Sequence, residues 1–98
     1  IIYLMKNESN NIGANFNIVY VPDILQFNSK EYNKPDSTYL LNINEIEGII
    51  ESSNVQWLNF YQIMLHHENP LNFYPFKLKG HFTPKGYRIL AEEIKKFL

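Results

Sequence analysis

The chain has 98 residues and a formal net charge of −1 at pH 7, which limits it to one domain or part of one. Hydrophobic residues make up 45% and aromatic residues 15% of it, a composition typical of folded and not of disordered proteins. The low charge without a basic block argues against nucleic-acid binding, the lack of cysteine excludes disulfides and thiolate metal sites, and no apolar run approaches the ~20 residues of a membrane span.

The first part of the chain predicts a helix followed by a strand. Residues 1–11 have a helix-compatible apolar side, and Gly13 is placed to end such a helix. Residues 16–21, with the sequence FNIVYV, are rich in β-branched and aromatic residues and stop at Pro22, which is typical of a buried strand. Because the chain opens inside an apolar segment and not at a methionine, we expect it to be the C-terminal piece of a longer protein.

A turn or short helical piece is expected over residues 22–27, and a polar surface loop over residues 28–37. Residues 38–41 fit no one pattern. Asn44 and Glu47 have the spacing of a capping box, so a helix is expected from Asn44 until serines and an asparagine stop it. The isoleucines expected on its apolar face are Ile46, Ile49 and Ile50.

Residues 55–59, with the sequence VQWLN, predict a second short strand, and residues 60–65 predict a further helical turn. The alternation of helices and strands is typical of an α/β protein with a parallel sheet. The sequence therefore favours one α/β domain or domain fragment over residues 1–98.

A long irregular loop is expected from His66 to Gly80, and loops of this length are usually functional. Its aromatic residues either form a substrate lip or, more often, anchor the loop to the core. They are Phe73, Tyr74 and Phe76. His66 and His67 beside Glu68 suggest a metal site, but adjacent residues point apart and no third ligand has a usual spacing, so a solvated loop is favoured.

The last eighteen residues, HFTPKGYRILAEEIKKFL, predict an amphipathic helix with a histidine just ahead of it. Thr83 can cap this helix and Pro84 fits its first turn, where no N–H is needed. A loop fixed by a docked helix can present His81 as a proton carrier. The apolar face is expected to contain Tyr87, Leu90, Ala91, Ile94 and Leu98.

This block resembles the last conserved block of the SGNH (GDSL-type) serine hydrolases, in which a histidine precedes a short turn, a glycine and a final helix. Here it reads Gly80-His81-Phe82-Thr83, followed by Gly86. The resemblance covers about a dozen positions. It implies the C-terminal part of a flavodoxin-like, three-layer α/β/α fold with a short parallel sheet.

The resemblance also implies a function. The whole protein would be an acyl- or acetyl-ester hydrolase, with His81 as the general base that takes the proton of a serine hydroxyl. The serine and the oxyanion donors would lie outside these residues, and no cofactor or metal is implied. The substrate would be a lipid or acylated-glycan ester, and an exported or cell-envelope location fits the family.

The sequence departs from the family pattern at the acid. The family has it two or three positions before the histidine, where this chain has Leu78 and Lys79. Either a backbone carbonyl orients the imidazole or the site is inactive, and Asp23 and Glu68 are the remaining acids by loop position. The serines, none of them in a nucleophile motif, are Ser9, Ser29, Ser37, Ser52 and Ser53.

Two other interpretations compete with a hydrolase. One is a non-catalytic binding module whose aromatic loop grips a glycan or a protein. The other is a small α/β domain that self-associates, since two strands alone leave sheet edges unpaired. The second of these interpretations predicts a homo-oligomer.

Overall fold

The computed structural model describes residues 1–24, 27, 37–67, 69–78 and 80–98, with residues 37–42 described by their backbone alone. The elements of this part are, in chain order, α1 (Ile2–Asn11), β1 (Asn17–Tyr20), α2 (Ser37–Ser52), β2 (Gln56–Asn59), α3 (Phe60–Leu65) and α4 (Pro84–Phe97). Short 3₁₀ turns at Pro70–Phe73 and Pro75–Lys77 lie between α3 and α4. The chain is therefore a mixed α/β structure, as its alternating pattern predicts.

Strands β1 and β2 pair in parallel, which confirms the predicted pairing. The register sets Asn17 opposite Gln56 and, one residue on, Ile18 opposite Trp57. Parallel neighbours cannot be joined by a tight turn, and α2 lies in the connection between them. The strand predicted over residues 16–21 is confirmed at Asn17–Tyr20, but its expected burial is wrong, because β1 has one strand neighbour among the described residues and is half-buried.

Helix α2 begins at Ser37, well before the predicted start at Asn44. The predicted capping box is wrong because Asn44 is an exposed position inside the helix. Ile43 and Ile50, two turns apart on one face, are both buried, so the apolar stripe that docks the helix starts earlier than the predicted cap. Two isoleucines expected on this face, Ile46 and Ile49, are exposed.

The connection after β1 is described only in part. Ile24 and Phe27 are buried, and the Phe27 N–H donates to the Ile24 carbonyl over 3.0 Å, so the chain turns here as expected. The predicted surface loop over residues 28–37 lies outside the described residues, apart from Ser37, which begins α2.

The core is an aromatic cluster at the carboxyl ends of the two strands. Phe60, the first residue after β2, is fully buried. Its ring centroid lies 5.8 Å from those of Phe73 and Phe82, and the Phe82 ring lies 5.2 Å from that of Tyr74. Tilted and edge-on pairs of this kind contribute about 0.5–1.5 kcal/mol each beyond their buried area. Buried aliphatic residues that complete the cluster are Ile24, Ile43 and Met64.

Helix α4 forms as predicted, with Thr83 as its cap and Pro84 in its first turn. Its contacts with the core are concentrated near its start, where Gly86 is buried and Ile89 and Leu90 are half-buried. The predicted apolar face is therefore wrong in part. Three members of that predicted face, Tyr87, Ala91 and Leu98, are exposed.

Helix α1 lies at the periphery of the molecule. It has no buried residue. The Lys6 ammonium donates to the backbone carbonyls of Ser53 and Asn54, over 3.2 and 2.8 Å, and so ties α1 to the turn between α2 and β2. Gly13, with φ +74°, follows the end of the helix as predicted, since a left-handed residue there favours glycine.

The segment from His66 to Gly80 is more ordered than the predicted irregular loop. Two 3₁₀ turns form within its described residues, and the Asn69 carboxamide caps the first by accepting from the Leu71 N–H over 3.2 Å. A proline near the start of each turn fixes the backbone for it.

Candidate functional site

The His81 block lies at the carboxyl edge of the sheet. The strands end side by side, with Tyr20 opposite Asn59. Phe82, the next residue after His81, packs against Phe60, which directly follows Asn59. This packing brings the histidine loop to the strand tips, and the carboxyl edge is where open parallel sheets bind ligands.

Two hydrogen bonds of Thr83 fix the loop on its helix side. Its N–H donates to the Phe73 carbonyl over 2.7 Å, which joins the histidine loop to the first 3₁₀ turn. Its hydroxyl oxygen accepts from the Gly86 N–H over 3.0 Å, the capping bond that the sequence predicts. The backbone just after His81 is therefore held from both sides.

Two glycines surround this loop for different physical reasons. A Cβ on Gly86 would lie 3.1 Å from both the Phe73 carbonyl oxygen and the Phe82 Cβ, so a side chain here would force these neighbours to shift by a few tenths of an ångström. Gly80, directly before His81, has φ +148°, a conformation that side chains disfavour, but open space around it. Gly86 is thus a packing requirement and Gly80 a backbone requirement.

The His81 side chain is exposed. It makes no hydrogen bond, ion pair or ring contact with any other residue that the structure describes. Both ring nitrogens are therefore available to a group that approaches this edge of the sheet. A ring packed into the core could not act as a proton carrier, and this ring is not packed there.

The acids considered from the sequence do not orient His81 among the described residues. Asp23 follows the end of β1, and its charge acts on Tyr74, which it helps to keep protonated. Glu68 and Lys79 lie outside the described residues, and the predictions that concern them stay predictions. Leu78, at a family acid position, is exposed.

The serine hydroxyls described by the structure donate to carbonyls of helices. The Ser9 hydroxyl donates to the Met5 carbonyl over 2.9 Å. The hydroxyls of Ser52 and Ser53 donate to the Ile49 carbonyl over 2.9 and 2.8 Å, as expected for residues at a helix end. These three hydroxyls serve the backbone and are not paired with a base. Ser29, and the side chain of Ser37, lie outside the described residues.

Tyr74 ties the histidine loop to the end of β1. Its hydroxyl donates to the Pro22 carbonyl over 3.0 Å in a buried setting. Burial raises the pKa of Tyr74 well above its usual range, and the charges of Asp23 and Tyr20 add to the rise. The phenol therefore stays neutral and works as a brace between the two segments that flank the carboxyl edge.

The aromatic residues of the preceding segment divide into two groups. Phe73 and Tyr74 are buried and anchor the segment to the core, as favoured by the sequence. Phe76 is 92% exposed and, like Lys77, has a left-handed backbone, with φ of 55° and 58°. Non-glycine residues in this conformation are uncommon and store about 1–3 kcal/mol each.

His66 and His67 serve separate local contacts. The Nδ1 atom of His66 lies 2.6 Å from the Gln62 carbonyl oxygen, and the His67 ring stands edge-on to Phe73 with centroids 5.1 Å apart. No set of three histidine, cysteine or acidic residues among the described ones has the arrangement of a metal site.

A cavity of about 250 Å³ lies between the first 3₁₀ turn and the start of α4. His67, Asn72 and Lys85 line it, together with the Thr83 cap. His81 is not among the lining residues that the structure describes. The cavity therefore lies beside the histidine loop, at Thr83, but His81 does not form part of its described wall.

Sequence reasoning missed the long-range contacts that hold the site together. The Tyr74 bond to Pro22 spans 52 positions and leaves no local signal. The close packing of Gly86 could have been suspected, because glycine in a helical pattern is unfavourable unless another reason requires it. Phe82 could also have been singled out as an apolar residue in an otherwise polar turn.

Among the described residues, no helix has the length and apolarity that crossing a bilayer needs. Comparison of the chain with protein-family models, with curated proteins and with solved structures gives no match.

Proposed function

We propose that these 98 residues are the C-terminal part of an SGNH-like serine ester hydrolase domain, with His81 as its general base. The observation that carries the proposal is the position of the His81 block at the carboxyl edge of a parallel sheet. The motif and its surroundings agree, because the residues that resemble the family block are also the residues that fix this loop.

In the proposed reaction, the exposed His81 imidazole takes the proton of a serine hydroxyl while the serine oxygen attacks the ester carbonyl. The imidazolium then gives this proton to the departing alkoxide. A segment outside these residues supplies the serine and the oxyanion donors. The described part of the chain therefore contributes the proton carrier and its support, and by itself has no esterase activity.

The wider fold belongs to the same proposal. A parallel strand pair with a helix in its connection is the repeating unit of doubly wound sheets. In a flavodoxin-like domain, further strands would pair with the outer edges of β1 or β2. The substrate would be a lipid or an acylated glycan, since these are the esters on which the family acts.

The test replaces His81 by alanine in the protein that carries these residues together with the nucleophile segment. Hydrolysis of p-nitrophenyl acetate should fall by about 10²–10⁴-fold in kcat, the usual contribution of a general base. His66→Ala is the matched control, because His66 is also an exposed histidine and its Nδ1 atom lies against the Gln62 carbonyl just after α3. Unchanged turnover in His81→Ala would remove the assignment.

A binding module remains the second candidate, and one observation favours it. No described residue accepts a bond from His81, and the described serine hydroxyls are bonded to helix carbonyls. If the protein is a binding module, the unmodified protein and both histidine variants have no esterase activity. The same assay therefore separates the two functions.

A further inference from the structure

A second cleft lies at the other edge of the sheet, where the strands begin. Its volume is about 560 Å³, within the range of roughly 300–1,000 Å³ common for small-ligand sites. Carboxamide side chains from α1, from the connections and from the first residues of both strands line it. We call this site the amide cleft, and its carboxamides belong to Asn10, Asn15, Asn17, Asn54 and Gln56.

The carboxamides of the amide cleft are not used by the fold. None of them makes a hydrogen bond with another residue in the described ranges. By contrast, the carboxamides of Asn59 and Asn69 each accept from a backbone N–H and cap a helical turn. Each free carboxamide offers two N–H donors and a carbonyl acceptor, so the cleft presents both kinds of group to a ligand.

The strand register sets two of these carboxamides side by side. Asn17 and Gln56 are paired positions at the start of β1 and β2. Paired residues of neighbouring strands share a face of the sheet and are about 5 Å apart. Two adjacent amides at this spacing suit two neighbouring hydroxyl groups, because each hydroxyl both donates and accepts.

Asn54 reaches the cleft from a left-handed turn with φ 54°. Asparagine tolerates this conformation better than other side chains except glycine. The turn is held by Lys6, whose ammonium donates to the Asn54 carbonyl, so the wall formed by α1 and the wall formed by the turn are joined.

The charges around the cleft favour a neutral ligand. Lys6 is the one charged side chain among its described lining residues, and it is committed to two backbone carbonyls. A phosphate would need free cations and a metal ion would need carboxylates, and the described lining side chains offer neither an uncommitted cation nor a carboxylate. Phe16, half-buried in the same wall, adds the apolar surface against which the carbon face of a sugar ring packs.

We propose that the amide cleft binds a neutral, polyhydroxylated ligand, a hexose unit of a glycan. The proposal does not depend on the hydrolase assignment, because the cleft and His81 lie at opposite edges of the sheet. It stands on the free carboxamides, the strand register and the absence of an uncommitted charged side chain among the described lining residues.

The test is a titration of the isotopically labelled chain with glucose, N-acetylglucosamine and cellobiose, followed by amide chemical shifts. At least one sugar should give saturable shifts confined to the backbone around Asn10, Asn17, Asn54 and Gln56. Inorganic phosphate at the same concentration should give none. No saturable shift with any of the three sugars would overturn the proposal.

Variants then locate the site. Asn17→Ala and Gln56→Ala should each weaken binding by about three- to tenfold, the value of one or two neutral hydrogen bonds. Asn54→Gly should do the same while keeping the left-handed turn, which covers the case in which a strand variant fails to fold. Asn44→Ala, on the exposed side of α2, is the matched control. Equal weakening by Asn44→Ala would contradict the assignment.

Discussion

Gly86 and Tyr74 hold the His81 loop through contacts that apolar patterns do not reveal. Gly86 lets the first turn of α4 approach the Phe73 carbonyl and Phe82. Tyr74 bonds the Pro22 carbonyl beyond the end of β1. These two contacts reach the loop from different sides, one through the helix that follows it and one through the segment that precedes it. The position of the His81 loop therefore depends on residues from the segments before and after it.

Replacement of Gly86 by alanine should destabilise the protein by up to about 2 kcal/mol. The new methyl group would meet the Phe73 carbonyl oxygen at 3.1 Å, and a shift of this oxygen would disturb the hydrogen bond that it accepts from the Thr83 N–H. Overpacking costs about 1–3 kcal/mol, which exceeds the gain of about 1 kcal/mol in helix propensity. Urea unfolding measures the difference.

Gly48→Ala is the control for this prediction. Gly48 lies in α2, and a methyl group added to it would have no atom of a neighbouring segment within 4 Å. The same change should therefore stabilise the protein by about 0.5–1 kcal/mol. If both variants were stabilised, the close packing at Gly86 would be refuted.

Tyr74→Phe should lower the free energy of unfolding by about 1–3 kcal/mol, because the buried Pro22 carbonyl loses its donor. The pH dependence gives a second measurement. The folded protein holds the Tyr74 proton more tightly than the unfolded chain, because its pKa is raised, so this contribution is fully present below pH ~10 and is lost as the pH rises further. Between neutral and alkaline pH, the free energy of unfolding measured in urea should therefore fall less in Tyr74→Phe than in the unmodified protein. An equal loss in both proteins would contradict the role of Tyr74.

At the scale of elements, the sequence predicts which helices and strands exist better than where they begin. The strands and α4 are recognisable because β-branched runs and a Thr-Pro cap are local signals. The start of α2 is not, because its docking stripe runs through Ile43 and Ile50 and the apparent cap at Asn44 is an interior position. The site follows the same rule: a local motif singles out His81, whereas its supports come from distant segments that only tertiary packing brings together.

Lys6→Met should loosen α1 while leaving the rest of the fold intact. Helix α1 buries no residue, so the two bonds from the Lys6 ammonium are its main link to the turn at Ser53 and Asn54. The Lys6 ammonium lies at the C-terminal end of α2, where a positive charge interacts favourably with the helix dipole. Hydrogen exchange of the α1 amides should accelerate several-fold, which local opening predicts.

The matched control is Lys95→Met, which removes an exposed lysine of α4 that has no hydrogen bond to the described residues. Lys95→Met should leave the hydrogen exchange of the α1 amides unchanged. Acceleration by both variants would mean that net charge, and not the Lys6 contact, sets the stability of α1.

Thr83→Ala should cost about 1 kcal/mol through loss of the cap on the Gly86 N–H. The effect should not be uniform, because the cap joins α4 to the histidine loop. Backbone amides from Gly80 to Tyr87 should exchange faster than those of β1 and β2. A uniform change throughout the chain would show that the cap contributes to global stability alone.

At the scale of the whole molecule, the structure is open. The radius of gyration is 15.1 Å, against about 13 Å for a compact domain of this length. Each strand has one strand neighbour among the described residues, and apolar side chains at α1 such as Leu4 and Ile12 are exposed. Exposed strand edges and apolar surface favour association.

We therefore expect the isolated chain to self-associate, with a sedimentation coefficient that rises with concentration. The stability measured in urea should rise in the same range, because association draws the equilibrium toward the folded state. A folded monomer at every concentration would contradict this expectation and favour a self-sufficient small domain.

The position of Trp57 in β2, opposite Ile18, has a practical consequence. It is the one tryptophan of the chain, so intrinsic fluorescence reports on the strand pair, while far-ultraviolet circular dichroism reports mainly on the helices. Coincident melting curves from the two signals would mean that the strand pair and the helices unfold as one cooperative unit. An earlier fluorescence transition would mean that the strands separate first.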